Sequence, residues 1–368
     1  MKKRIAYALL VTICLLGLGG CAKKEEIVQE ESNWDISKVP SHVQEDINEN
    51  LKIDADVRIG DGFETGKADI FQVADKKLDT KKAEKLLLEG KTVDKKEVNE
   101  YEDGTQTDYT LKGEDEVSVS ISDNWFYYGG KLAESIGYSF RHEYAEDDSN
   151  INEYLKREQD FPFMSMEEAE EKYLTLINEL GGEWSENSLY SFRLDHETMK
   201  KEEKVIVMDM LPEEEQSKPR ENWTEKDDSY YFEFAPVVEG YEFIADYDIP
   251  DSEEYRGIMN CNIICNSDGL VEAIRGDVFE VRKRLEEQKS LLELDVVLEK
   301  LREKYSKVIL QDHLNIVEIR LGNICKREKE KEIYETVPVW DFKVVADDGV
   351  AKSGYDIVFD AMTGEELH

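Results

Sequence analysis

The sequence predicts an α+β protein built of tandem modules, each with one helix packed on an antiparallel sheet. Apolar residues recur at helical spacing in three separate segments, and runs with strand-like alternation of apolar and polar residues accompany each of them. A helix accompanied by several strands recurs along the chain, and such recurrence indicates an internal repeat. We therefore expect an N-terminal domain at 34–160, a second module at 161–285 and a third at 286–368.

The first module opens with strand patterns. Residues Leu51–Ile59 alternate strictly, which predicts a strand with one buried face, and residues 66–74 continue in the same style. Residues 78–90 then predict a helix, with Asp79 as its N-cap and Gly90 at its end. Further strands are expected at 107–113, 116–122 and 124–130.

The second module begins with a helix at 165–182. Ser165 and Glu168 have the spacing of a capping box, and Gly181 with Gly182 supplies the C-terminal exit. A polar stretch with two prolines, 211–228, predicts a long loop. The strands expected in this module are 188–195, 204–211, 229–237, 240–248, 258–265 and 269–276.

The third module repeats the order of helix and strands. Residues 291–305 carry apolar side chains near one stripe and predict a helix. Strands are expected at 313–324, 336–346 and 354–367. In each module the helix should cover one face of a sheet, and the other face is left for solvent, a neighbouring domain or a partner.

The N-terminus has the pattern of a secretory leader. Lys2, Lys3 and Arg4 precede residues 5–20, which hold no charge and are too few for the roughly 20 residues of a spanning helix. We expect a signal peptide at 1–20 and a flexible, charged tether at 21–33. Ordered structure should begin near Trp34.

The end of this leader resembles the lipobox of bacterial lipoproteins, in which an aliphatic and two small residues precede a cysteine. The matching residues are Leu18, Gly19, Gly20 and Cys21. The resemblance implies cleavage after Gly20, a diacylglycerol on the Cys21 thiol with acylation such as palmitate, and an anchor on the extracytoplasmic face of the cell membrane. Such acyl chains give stable membrane attachment. An ordinary signal peptide with a chance cysteine is the alternative.

The C-terminal segment resembles the end of a PepSY domain. The closing motif matches at Asp360, Ala361, Thr363, Gly364 and Leu367. Physically the motif is a strand stop, in which Asp360 bonds amides of the turn and Gly364 supplies a positive φ.

An earlier segment resembles the matching unit of the YycH and YycI extracytoplasmic regulators of Gram-positive bacteria. Asn266, Asp268 and Gly269 fit its hairpin turn, and Gly240 fits the preceding turn. Together the two resemblances cover Ser165 to His368 and imply a non-enzymatic, protein-contacting or inhibitory role. Those regulators are tethered by a transmembrane helix, whereas this chain is expected to be tethered by lipid.

The chain is strongly acidic. Its formal net charge is −38, and loss of the leader with its three basic residues makes it −41. Such a chain is repelled by nucleic acid and by anionic lipid surfaces, so we expect no nucleic-acid partner. The excess of Asp and Glu residues can keep the protein soluble, or it can bind cations or basic partners.

Sparse cysteines indicate no disulfide framework. After Cys14 leaves with the leader and Cys21 takes lipid, an odd number remains, namely Cys261, Cys265 and Cys325. Two cysteines four residues apart on a strand lie about 13 Å apart, beyond disulfide reach. We expect buried thiols that act as small apolar residues.

No catalytic, metal-binding or cofactor-binding motif stands out, and we predict none of the three. The five histidines have no zinc spacing, and nucleophile-elbow, Walker and dinucleotide patterns are missing from the sequence. Residues 54–62 resemble a calcium loop, but Arg58 takes a ligand position and strand alternation already accounts for the acids. A pairing of Cys325 with His313 has no local signature to support it.

Two aromatic runs are the remaining candidates for a binding surface. Alternate residues of a strand face opposite sides, so each run either exposes rings or buries both faces. The candidate contact residues are Trp125, Tyr127, Tyr230 and Phe232. They can form a platform for another protein or for glycan, or a two-sided core at a domain junction.

The sequence therefore predicts a lipid-anchored, extracytoplasmic, non-enzymatic protein that binds or restrains an envelope protein, such as a sensor or an enzyme. The alternative functions are a solute-binding lipoprotein of a transporter and a secreted hydrolase. The first needs two α/β lobes with many helices, and the second needs a pocket with an activated acid or nucleophile.

Overall fold

Strands dominate the fold. The computed structural model describes residues 34–101, 104–113, 116–139, 160–205, 219–245, 254–308, 310, 312–329, 332–347 and 352–368. Within these ranges eighteen strands accompany five α-helices, and the strands form two eight-stranded sheets and one two-stranded sheet. The predicted fold class of tandem helix-on-sheet modules is therefore wrong, because strands from distant segments interleave within each large sheet.

The helices are short and widely spaced along the chain. They are α1 (Thr80–Leu87), α2 (Lys131–Ser139), α3 (Met166–Glu179), α4 (His196–Val205) and α5 (Leu294–Tyr305).

The strands vary in length from two to fifteen residues. They are β1 (His42–Asp46), β2 (Leu51–Ile59), β3 (Lys67–Asp75), β4 (Val93–Tyr101), β5 (Gly104–Leu111), β6 (Ser118–Ile121), β7 (Phe126–Gly129), β8 (Tyr190–Leu194), β9 (Ser229–Phe234), β10 (Val237–Val238), β11 (Tyr241–Glu242), β12 (Tyr255–Arg256), β13 (Cys261–Asn266), β14 (Gly269–Ile274), β15 (Phe279–Ser290), β16 (His313–Arg327), β17 (Ile333–Asp347) and β18 (Lys352–Asp360).

The first sheet joins the beginning and the end of the chain. Its main path is β1-β2-β16-β17-β3-β15, while β18 pairs with β17 and β12 pairs with β16. Strands β2 and β16 run parallel, with Leu51 beside Leu314, and the other pairs of this sheet are antiparallel among the described residues. Helix α5 packs on one face, where Leu298 and Leu301 join a core with Ile53 and Phe342.

The second sheet is antiparallel throughout its described pairs. Its path is β4-β5-β6-β7-β14-β13-β9-β8. Helices α1 and α3 pack on one face, with Ala83 and Tyr173 in the same core as Phe232. Helices α2 and α4 pack on the other face, with Ile136 and Met199 in that core. Because both faces of the sheet are covered, every residue of β9 is buried.

Local helix signals in the sequence are confirmed. The Asp79 carboxylate accepts hydrogen bonds from the Lys81 and Lys82 amides and caps α1. Ser165 and Glu168 form a complete capping box at the start of α3. Capping of this kind stabilises a helix by about 1 kcal/mol, because it satisfies amides that the helix itself leaves without a partner.

Several elements differ from the sequence prediction. The predicted strand 240–248 contains only the two-residue strand β11 within its described part, and 204–211 begins inside α4 while its remainder lies outside the described residues. Four strands and two helices were not predicted. They are β1, β4, β12, β15, α2 and α4.

A buried ion pair lies inside the first sheet. Arg320 of β16 bonds Asp341 of β17, with 2.7 Å between Nε and Oδ2, and Asp341 is fully buried. A side-chain contact links the two large sheets, in which the Tyr190 hydroxyl of β8 donates to Glu318 of β16 over 3.2 Å. In the part of the chain that the structure describes, no helix is both long and apolar enough to cross a membrane.

Candidate functional site: an exposed aromatic pocket

The predicted lipid-attachment residues cannot be placed. Leu18, Gly19, Gly20 and Cys21, with the cleavage point after Gly20, lie outside the described residues.

The four candidate aromatics occupy very different positions. Tyr230 and Phe232 are fully buried in the core beneath α3, so neither can touch a partner. Tyr127 is half-buried, and desolvation raises the pKa of its hydroxyl. Trp125 is 39% exposed and stands out as a large apolar side chain at the surface.

The remaining thiols are free and inert. Cys261, Cys265 and Cys325 are all buried, and burial raises the pKa of the first two to about 12. Cys325 and His313 lie near opposite ends of β16, roughly 40 Å apart at the rise of a strand, so they form no pair. The predicted strand Leu51–Ile59 is confirmed, and Arg58 within it bonds Glu242.

All three predicted turns have the expected geometry, and Gly240, between β10 and β11, has a φ of +84°. The Asp360 carboxylate accepts hydrogen bonds from the Met362 and Thr363 amides at 2.8 Å each, and Gly364 has a φ of +66°. Asn266 accepts the Asp268 amide at 2.9 Å in the β13–β14 hairpin. These residues therefore form turns at the ends of strands, as predicted. The resemblance to PepSY domains and to the YycH and YycI regulators stays a prediction.

Trp125 lies at a small pocket on the second sheet, where the end of β4 and the start of β5 meet the turn between β6 and β7. The pocket encloses about 230 Å³. We call it the aromatic pocket, and its lining residues are Tyr101, Gly104, Thr105, Gln106, Ser122, Asp123, Asn124 and Trp125.

The turn that presents Trp125 is fixed by hydrogen bonds. The Ser122 hydroxyl accepts the amides of Asn124 and Trp125 at 3.3 and 3.1 Å, which is the local bonding that favours serine in turns. Beneath the turn, the buried Arg275 guanidinium donates to the Asn124 carbonyl at 2.6 Å and to the Lys76 carbonyl at 2.7 Å. The indole is therefore presented from a turn with few ways to move.

An exposed ion pair borders the aromatic pocket. The Lys77 ammonium lies 2.7 Å from Oδ2 of Asp123, and the hydrogen bond to Asp123 raises the pKa of Lys77. The Lys77 side chain is 73% exposed and that of Asp123 is 33% exposed. Gly104, with a φ of +147°, leaves the space above the other carboxylate oxygen open, because a Cβ there would come within 3.2 Å of Oδ1.

These groups suit recognition. Two exposed rings, one carboxylate and the Gln106 and Asn124 amides offer stacking surface and hydrogen bonds. Within the described ranges, no group of three or more His, Cys, Asp or Glu side chains could hold a metal ion. Of this site, sequence reasoning found Trp125 alone. Tyr101 ends a strand without an apolar face, and the contribution of Arg275 depends on contacts across the fold, so neither leaves a local signal.

Two other pockets are larger. One, of about 600 Å³, lies between α5 and residues Glu45 and Ile47 near β1, and the other, of about 430 Å³, lies beside the β13–β14 turn. Charged and polar side chains supply most of both linings, and none of the described lining residues is aromatic.

Comparison with known proteins establishes the fold and nothing further. No family model matches the chain, and no curated protein matches it. A solved structure, described as an uncharacterized protein from Eubacterium rectale ATCC 33656, is 20% identical. The similarity covers 92% of this chain and 96% of that one, with a TM-score of 0.70.

Proposed function

We propose that this protein is a non-enzymatic lipoprotein, anchored by lipid at the extracytoplasmic face of the cell membrane, that binds or restrains an envelope protein. The observation that carries the proposal is Trp125, an indole held by a bonded turn and open to solvent. The leader pattern that ends at Cys21 supports the location.

The aromatic pocket has the features of a protein contact. Neighbouring apolar side chains at the surface are typical of interaction sites, and Tyr101, at 56% exposure, lies with Trp125 in one pocket. Tryptophan and tyrosine are enriched among interface residues whose truncation costs at least about 2 kcal/mol of binding energy.

Site-specific photo-crosslinking in intact cells tests the contact. A photoreactive amino acid in place of the exposed Thr105, at the pocket rim, should give one discrete protein adduct. The same group at Lys307, which lies just after α5 and is 74% exposed, should not give that adduct. Adding Trp125→Ala should remove most of the Thr105 adduct, because it truncates the anchor. An adduct that survives this change would contradict the proposed contact.

The anchor has its own test. Cys21→Ser should leave the chain unprocessed and without incorporated palmitate, whereas Cys14→Ser, inside the leader, should change neither property. Label that persists in the Cys21 variant would refute lipid attachment at this residue.

A further inference from the structure

We infer that the aromatic pocket receives one cationic side chain, lysine or arginine, from the protein partner. The inference rests on the proposed function and adds the chemistry of the contact: cation–π stacking on Trp125 and Tyr101 together with an ion pair to Asp123.

The size of the pocket fits a single side chain. At about 230 Å³ it is smaller than the roughly 300–1,000 Å³ of pockets that hold drug-sized ligands. A protein partner therefore reaches in with one group while its remaining surface stays outside.

The aromatic faces suit a cation. Ammonium and guanidinium groups are attracted to the faces of tryptophan and tyrosine rings within about 6 Å of the ring centre. Both rings of this pocket are partly open to solvent, with Tyr101 at 56% and Trp125 at 39% exposure. The protein already makes such contacts within its own fold, for example Lys96 at 4.9 Å from the Tyr109 ring centre.

The carboxylate has capacity for a second cation. Oδ2 of Asp123 faces Lys77, but Oδ1 accepts no hydrogen bond from the described residues. The Lys77 side chain is largely exposed, and such surface pairs contribute only about 0–1 kcal/mol, so an incoming cation can share or replace it. Because Gly104 has no Cβ, no side chain from that position crowds Oδ1.

The net charge of the whole molecule also favours a cationic partner. At a formal net charge of −38, the protein attracts basic surfaces and speeds their encounter at low ionic strength. A basic side chain on the partner is thus attracted both by the Asp123 carboxylate and by the negative charge of the whole protein.

Fluorine NMR on the full chain in detergent, labelled with 5-fluorotryptophan, tests the inference. The chain has five tryptophans, and Trp125→Phe identifies the signal of interest. Arginine amide or lysine amide should shift the Trp125 signal saturably at millimolar concentration. Citrulline amide, a neutral analogue of arginine amide, should bind roughly fivefold more weakly, because it lacks the charge.

Variants at the ion pair sharpen the test. Asp123→Asn should weaken arginine amide binding about three- to tenfold, and Lys77→Gln should strengthen it about twofold by removing the competing cation. Asp46→Asn breaks a similar exposed lysine pair on β1 and should change nothing.

Equal binding of citrulline amide, or no effect of Asp123→Asn, would overturn the inference. A Trp125 shift with N-acetylglucosamine oligomers and none with the cations would also overturn it, in favour of a glycan site. If the crosslinked partner is recovered but the cations fail, the inference falls while the proposed function stands. If the cations bind but no crosslinked partner is recovered, the pocket chemistry stands and the proposed function falls.

Discussion

Glu272 lies on β14 opposite the buried Ile264, and burial raises the pKa of its carboxyl from 4.5 to about 7. The folded protein therefore holds this proton in a pH range where the unfolded chain has released it. Stability falls as pH rises from about 4.5 to about 7, and the loss is complete above that window. At 1.36 kcal/mol per unit, the shift of the Glu272 pKa lowers the free energy of unfolding by roughly 3 kcal/mol at pH 8.

Glu272→Gln should remove this penalty. Urea unfolding at pH 8 should give the variant a free energy of unfolding about 3 kcal/mol above that of the parent, and at pH 5 the difference should shrink below about 1 kcal/mol. A difference that is the same at both pH values would show that the carboxyl is not titrating in this window.

For single residues, the sequence could identify candidate aromatic side chains, but it could not predict which of them are buried. Trp125 and Tyr230 both lie in aromatic runs, yet one is 39% exposed and the other is fully buried. The difference arises because helices cover both faces of β9, whereas Trp125 lies in a turn before β7. Alternation says that neighbouring side chains point to opposite faces, and it cannot say whether a helix covers either face.

Arg275 joins three elements, since it follows β14 and bonds both the turn before β7 and the loop after β3. Arg275→Met should lower the free energy of unfolding by about 2–4 kcal/mol, because two charged hydrogen bonds are lost and two carbonyls lose their donor. Arg275→Lys should cost less, because an ammonium can still reach one carbonyl.

Urea unfolding measures this cost, and the fluorine signal of Trp125 reports on the turn. The matched control is Arg282→Met on β15, where the side chain is 55% exposed and the change should stay within about 0.5 kcal/mol. A cost for Arg275→Met no larger than that of the control would show that the turn does not depend on this guanidinium.

Elements with strong local signals were predictable. The capping box at Ser165 and the strict alternation of β2 needed no knowledge of the fold. Strand β15 was missed because three register shifts break its alternation, and β4 because its side chains are almost all exposed. Bulges and solvent-exposed hairpins remove the period on which strand prediction depends.

The whole molecule depends on pairing between segments far apart in the chain. Within the first sheet β16 pairs with β2 and β17 with β3, and the core beneath α5 includes Leu51 and Ile53. A fragment of residues 286–368 should therefore remain unfolded by circular dichroism, because it lacks these partners. The chain 34–368 should unfold in a single transition.

Mixing the fragment 286–368 with residues 34–285 offers a complementary measurement. Strand signal should return on mixing, since the missing partners of β16 and β17 are then supplied. A fragment 286–368 that folds alone would contradict this prediction and favour an autonomous C-terminal module.

At this scale the sequence was least informative. It indicated helices and strands in roughly correct places, but the repeat of helix and strands suggested that each segment would pair within itself. Partner choice between β2 and β16 depends on fit across the assembled sheet, and alternation in each strand alone is compatible with many neighbours.

The parallel pairing of β2 with β16 also dictates when the protein can fold. Asn48, just before β2, bonds the carbonyl of Tyr305 at the end of α5, a residue 257 positions later, and β2 pairs with β16, which follows that helix. Contacts so distant in sequence slow folding, because a long loop must close before they form. We therefore expect the nascent chain to expose its apolar strands until the last residues are synthesised, and to be prone to aggregation unless chaperones cover it during that interval.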